Sequence, residues 1–346
     1  MNAISPHYQD ESRLKDVLMI RHIYPHHSKL GGSGVLCDYL PGIELRATDW
    51  PWGSATEGSR KWKVGRRILD VGIMTLANHY RLIHFIHSEF HPAFTYRTLR
   101  RIAPRTKLLG TVHLPLDYYS LENSLHAFRN LHGIIALAKW QVEQVQDLLP
   151  MVKARWVPCG FNMSHALRGQ PPTIPDTFNV ITIGSNYRDW VIQERILDLA
   201  SSKHPDWRFH MVGLPAKQKM LYASRPNVVI HGRLNDIEYL SLIEACHTLL
   251  LPLSFATNNT AVLEAYSVGT PTLCSNLPAI HDYAISTTRT FDSAEQAIAT
   301  LEERCGWSLE QTHMVRSTTI KEGLRFDWRN IAKEVLGVYK ELLDEH

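Results

Sequence analysis

Leu251–Ser275 reads LPLSFATNNTAVLEAYSVGTPTLCS. An apolar run ends in a polar loop, Asn258–Asn259–Thr260 supplies side chains that cap a helix, and Gly269 followed by Pro271 stops that helix before another β-type run. Strand, loop, helix, strand is the repeating unit of a parallel α/β sheet. The N–H groups left over at the helix start, with the helix dipole behind them, attract an anion. Glu264 lies four residues after Thr260 and therefore on the same helix face. An anion at the helix start and a carboxylate one turn deeper suit a nucleotide, its diphosphate on the N–H groups and its ribose hydroxyls on Glu264. The alternative reading of these residues is an ordinary capped helix carrying a solvated glutamate.

Working outward, the same alternation recurs along all 346 residues. In the first half, β-type runs are predicted at Asp16–Arg21, Leu82–His87, Lys107–Val112, Gly133–Leu137 and Ala154–Val157. In the second half they fall at Phe178–Ile183, Arg208–Val212, Val228–His231, Thr248–Leu251 and Pro271–Ser275, and the strand pattern stops beyond Thr290. Amphipathic stretches such as Ile192–Ser202, Asp236–Cys246 and Thr260–Val268 separate them. Near-continuously apolar strands alternating with helices predict parallel sheets covered on both faces. The expected fold class is therefore α/β, with two doubly wound Rossmann-like domains. Arg168–Asp176 (RGQPPTIPD) reads as a proline-rich linker, which puts the domains at 1–167 and 168–325, with a last helix over 326–346. In such sheets ligands bind beyond the carboxyl ends of the strands, so the expected site is a cleft between the domains, lined by the loops that follow strands.

Composition narrows the function classes. The chain is 44% hydrophobic and 21% charged, close to globular averages, which excludes collagen, coiled coil and disorder. Residues 1–165 hold 20 Lys and Arg against 13 Asp and Glu, and the remainder hold 17 against 21, so the halves differ in sign. A basic first half faces either an anionic membrane or acceptor, or solvent. The five cysteines, Cys37, Cys159, Cys246, Cys274 and Cys305, form no CxxC pair and fit a reducing compartment. With no signal-peptide pattern and no apolar run of about 18 residues, the expected location is cytoplasmic, with any membrane contact peripheral.

The pattern P-L-x(6)-T-x-x-L-E-A-x-x-x-G-x-P within Leu251–Pro271 resembles the nucleotide-sugar segment of retaining family-4 glycosyltransferases of the GT-B fold. Other segments follow in the same order: Gly31–Gly34 (GGSG), Thr111–Pro115 (TVHLP), Val157–Asn162 (VPCGFN), Ile183–Gly184, Met211–Gly213 and Val229–Gly232. The resemblance implies a sugar transfer from a nucleotide diphosphate donor to a hydroxyl acceptor, and C-terminal helices that cross back, with 326–346 packing on the first domain. It implies His113 at the transferred sugar, Arg188 at the donor diphosphate with Lys217 as a weaker second, and Gly32, Gly34, Asn259, Thr260 and Glu264 around the donor. The chain departs from the family at Ala256, where a Glu is usual, and at Thr257 and Asn259, which replace a G-x-G. Two further readings stay open: a catalytically silent partner subunit of a glycosylation complex, and a sugar-nucleotide epimerase.

Three smaller features complete the sequence. His84, His87 and His91 invite a metal, but His84 and His87 are three apart in a predicted strand and point to opposite faces. With no Asp-x-Asp motif either, metal-independent chemistry without a cofactor is expected. Glu89 and His91 remain as acceptor-side residues. Arg60–Arg67 (RKWKVGRR) reads either as an anchor to anionic lipid or as a solvated basic face. The expected partners are the nucleotide sugar, a glycan or lipid-linked acceptor and an anionic membrane surface, with no nucleic acid.

Overall fold

The computed structural model describes residues 16–22, 31–40, 42–46, 59–116, 124–164 and 176–344. It divides into two compact units, one formed by Met1–His27, Ser33–Val157 and Ile331–His346, the other by Ser28–Gly32 and Pro158–Asn330.

Within the first unit the chain forms β1 (Val17–Arg21), β2 (Ile43–Arg46), α1 (Arg60–Leu76), β3 (Leu82–Phe85), α2 (Ala93–Ile102) and β4 (Lys107–Val112). It continues through α3 (Ser124–Phe128), β5 (Gly133–Ala136), α4 (Lys139–Leu148) and β6 (Lys153–Trp156). All six strands are parallel, in the order β2-β1-β3-β4-β5-β6. Burial explains the strand sequences: Val17–Ile20 and Leu82–Phe85 are covered on both faces, as parallel strands between two helical layers must be.

The second unit contains β7 (Asn179–Ile183), α5 (Trp190–Lys203), β8 (Arg208–Val212), α6 (Ala216–Tyr222), β9 (Val228–Ile230), α7 (Asp236–Glu244) and β10 (Thr248–Leu251). Then come α8 (Thr260–Ser267), β11 (Thr272–Ser275), α9 (Pro278–Tyr283), β12 (Arg289–Phe291), α10 (Ala294–Cys305) and α11 (Leu309–Gly323). Its strands are also parallel, in the order β12-β11-β10-β7-β8-β9. The order reverses between β7 and β10, and in the first sheet between β1 and β3. At such switch points the loops leaving neighbouring strands diverge and leave room for a ligand.

The last helix, α12 (Trp328–Leu343), is shared between the units, and the residues from Ile331 onward belong to the first. There Tyr339 Oη lies 2.8 Å from His84 Nδ1 in β3, and Arg155 in β6 pairs with Glu341 at 2.9 Å.

The division falls at Val157/Pro158 and Asn330/Ile331, not at 167/168 and 325/326. The reason is the PCGFNM segment. Phe161 N–H donates to Phe326 O and Trp328 N–H to Phe161 O, at 3.0 and 3.2 Å. A Cβ on Gly160 would sit 2.5 Å from the Trp328 ring. Residues 158–163 thus pack within the second unit well before the proline-rich stretch, of which 168–175 lie outside the described residues. Two strands were missed by the sequence patterns, β2 and β12; after β12, which ends at Phe291, the described residues form helices and no further strand. Both are edge strands of three or four residues. Among the described residues no helix is long and apolar enough to cross a membrane.

Candidate functional site

In the second unit, the loops leaving β7 and β10 meet at the switch point. Asp189 N–H donates to Pro252 O at 3.0 Å, Ser254 N–H to Tyr187 O at 2.9 Å, and Arg188 forms an antiparallel bridge with Leu253. The β7 loop turns sharply. Gly184 has φ +84°, and Tyr187, a non-glycine residue, has φ 54°, a strained conformation of the kind that concentrates at ligand sites. A Cβ on Gly184 would come within 2.8 Å of Arg188 Nη2, so the glycine leaves space for the guanidinium.

Arg188 is held by its own loop. Nε donates to Ile183 O at 2.8 Å, Nη1 to Asn186 O at 2.9 Å, and Nη2 also to Ile183 O. Burial lowers its pKa to about 10, partly opposed by Cys274, Tyr239 and Glu264. The adjacent Asp189 is not its counter-ion. Asp189 caps α5, accepting from Ile192 N–H at 3.0 Å. The guanidinium remains cationic and faces no paired carboxylate among the described residues.

Glu264 lies within α8, the helix that follows β10. Asn259 caps α8, its side chain accepting from Ala261 N–H at 3.1 Å, and Thr260 opens the helix. Glu264 is 8% exposed, not solvated. Burial pushes its carboxyl up to about 7; the hydrogen bond from Tyr239 and the charge of Arg188 pull the other way, and Asp236 adds to the rise. Tyr239, on α7, donates its hydroxyl to Glu264 Oε2. Tyr239 was not legible in the sequence, because nothing in a lone tyrosine on α7 points to a helix two elements later. The available signal was indirect: the Asn235–Glu238 capping box fixes where α7 starts and hence which way residue 239 faces.

Ala256 is buried, at 8% exposure, so a methyl group fills the position where the resemblance expects a carboxylate. Lys217 lies in the first turn of α6, exposed, and no contact among the described residues joins it to Arg188 or Glu264.

In the first unit, His113 follows β4 directly. Its Nε2 lies 2.8 Å from Ser33 Oγ, and its Nδ1 lies 2.9 Å from Glu89 Oε1, an ion-pair contact and not an aligned hydrogen bond. The His87 ring stacks on it, with centroids 4.8 Å apart at 11°. Glu89 and His113 are thus brought together. His91 turns elsewhere: it is buried, and its Nδ1 meets Asp70 Oδ1 at 2.7 Å. Burial lowers the His91 pKa, with Asp70 opposing. His84 lies inside β3 between Tyr339 and Thr111, each at 2.8 Å, and burial lowers its pKa to about 3. It shares no ligand position with His87. Gly32 adopts φ 91°, and Gly34 O accepts from Arg21 Nη1 at 2.7 Å. Residues 23–30, between β1 and Gly31, lie outside the described residues.

Comparison with known proteins places this geometry. No curated protein matches the chain. Among solved structures, HepE from Anabaena in complex with UDP and glucose superposes with a TM-score of 0.65, at 14% identity over 94% of this chain and 99% of that one. The N-terminal domain of trehalose-6-phosphate phosphatase from Candida albicans gives 0.70, at 9% identity over 95% and 97%. The pneumococcal O-GlcNAc transferase GtfA in complex with UDP and GlcNAc gives 0.59, at 13% identity over 81% and 60%. At these identities the likeness is one of fold. Residues 179–303, which carry Arg188, Tyr239 and Glu264, match the Glycosyl transferases group 1 family.

Proposed function

We propose that the protein is a glycosyltransferase that moves a sugar, with retention, from a nucleotide diphosphate donor to a hydroxyl acceptor. The observation that carries this reading is the placement of the Arg188 guanidinium within electrostatic reach of buried Glu264, in the segment that matches the family. Arg188 lies on the loop after β7 and Glu264 within α8, the helix that follows β10.

The chemistry needs charge stabilised where it appears. As the anomeric C–O bond loosens, negative charge grows on the departing diphosphate. Arg188 and the α8 start at Asn259–Thr260 face that charge, with Lys217 as a second cation on the neighbouring helix. Guanidinium suits this role, with its planar fork of donors and a charge that survives burial. Glu264 holds the ribose hydroxyls, its Oε2 fixed by Tyr239. Gly32 and Gly34 let backbone approach the donor closely, and His113 of the first unit contacts the transferred sugar. Glu89 stands on the acceptor side with His91 behind it. No metal is required, because fixed cations and helix-end N–H groups supply the stabilisation. The acceptor class is a glycan, a glycolipid or a polysaccharide intermediate, which places the reaction in polysaccharide assembly.

Calorimetric titration with UDP, GDP and ADP tests the reading. One nucleotide is expected to bind, and Glu264→Ala to weaken it at least tenfold. Absence of binding, or binding indifferent to Glu264→Ala, overturns it. The buried Ala256 favours one rival, a silent subunit that binds donor without turnover. Sugar transfer by the purified chain to any added acceptor excludes that rival.

A further inference from the structure

The basic run Arg60–Arg67 has no part in the transferase reading, yet it lies on α1, whose N-cap Ser59 accepts from Trp62 N–H at 3.1 Å. Gly65, Arg66, Leu69, Asp70, Gly72 and Ile73 form the buried face. The opposite face repeats at helical spacing as Arg60, Val64, Arg67 and Val71, with Lys63 beside it. Val71 is 59% exposed.

A second helix continues this face. His91 meets Asp70 at 2.7 Å, and Arg66 stacks over both Trp62 and Phe90 at 4.9 Å, which fastens the entry of α2 to the middle of α1. Beyond the other ends, Thr106 Oγ1 donates to Ala77 O at 3.0 Å. The two helices therefore run side by side in the same direction. The outer face of α2 presents Phe94, Arg97 and Arg101, with Phe94 67% exposed.

Charge decides what this face fits. Across both helices the single carboxylate is Asp70, and it is buried. Among the described residues, Arg60, Lys63, Arg67, Arg97 and Arg101 make no ion pair. A solvated basic face ordinarily carries interspersed acids and leaves its apolar residues inside. A polyanion such as nucleic acid or acidic polysaccharide would use the cations but gain nothing from Val64, Val71 and Phe94. Cations at headgroup height with apolar side chains between them match an interfacial helix on anionic lipid.

We propose that the outward faces of α1 and α2 form one docking surface for an anionic lipid bilayer. The inference stands independently of the sugar-transfer reading. Cosedimentation of the full chain with phosphatidylcholine vesicles, with and without phosphatidylglycerol, tests it. Binding is expected with phosphatidylglycerol and not without. Each cation contributes about fivefold to partitioning at low salt, so Arg67→Glu with Arg101→Glu weakens binding more than tenfold. Phe94→Ser weakens vesicle binding while leaving retention on heparin unchanged. Equal binding to both vesicle types, no binding to either, or vesicle binding indifferent to Phe94→Ser overturns the proposal. The last result, with heparin retention lost in the double variant, assigns the face to a polyanion. Should the charge reversals lower the melting temperature, Arg67→Gln with Arg101→Gln carries the same comparison.

Discussion

At the scale of single residues, Glu264 is where burial and function oppose each other. Its carboxyl titrates near 4.5 when free and about 7 in the folded chain, so the fold holds the proton more tightly. Below pH 4.5 the group is neutral in both states and costs nothing. Between 4.5 and 7 the unfolded chain ionises first, so stability falls as pH rises, and the whole cost is present above 7. Glu264→Gln stays neutral throughout and its amide oxygen still accepts from Tyr239. Its gain over the wild type is expected to be absent at pH 4 and about 3 kcal/mol at pH 8; denaturant unfolding at the two pH values checks this, and a constant difference refutes it. Tyr239→Phe acts oppositely. Losing a hydrogen bond to an ionised group costs about 1.5–3 kcal/mol, so the carboxyl titrates higher still and nucleotide binding at pH 7 weakens by about tenfold or more. Raising the pH to re-ionise Glu264 should recover part of that loss in a titration. Glu264 was legible in the sequence because helix spacing ties it to Thr260. Its burial and its tyrosine were not, since both depend on how α7 and α8 pack.

Individual elements were legible in proportion to how many neighbours their sequences record. Central strands such as β1, β7 and β10 are covered on both faces, and VLMIR, NVITI and TLLL show it. The edge strand β12, RTF, has one neighbour and too few residues to show a period. Helix starts were legible through their caps, and α8 is the instance with functional weight. Removing an N-cap side chain costs about 1 kcal/mol, so Asn259→Ala is expected to lower global stability by that amount. If the α8 start also faces the donor diphosphate, the same variant weakens binding of a nucleoside diphosphate more than that of the nucleoside. Titration with both ligands measures the difference, and equal weakening would remove α8 from the diphosphate site.

For the whole molecule, alternating β and α segments announced two parallel sheets, but the path of the last helix is a matter of long-range packing that no local pattern records. Ile331, Ala332, Val335, Val338, Tyr339 and Leu342 are all buried, and Tyr339 and Glu341 reach β3 and β6 of the first unit. Leu342 also fills the space over Gly133, where a Cβ would meet it at 3.0 Å. Deleting Ile331–His346 exposes this apolar surface and leaves buried His84 without its tyrosine partner. Truncating a single large buried side chain already costs about 2–5 kcal/mol, so the combined loss is comparable to the stability of a typical domain. Pro158–Asn330 keeps its own sheet and core. Hydrogen exchange on the truncated chain is therefore expected to show Val17–Ile20 and Leu82–Phe85 exchanging fast while Val180–Thr182 and Leu249–Leu251 stay protected. Nucleotide affinity should change little if the donor groups are those of the second unit. Loss of protection in both sets together would mean that the units share one cooperative transition, and that the sixteen terminal residues support the donor-binding sheet as well.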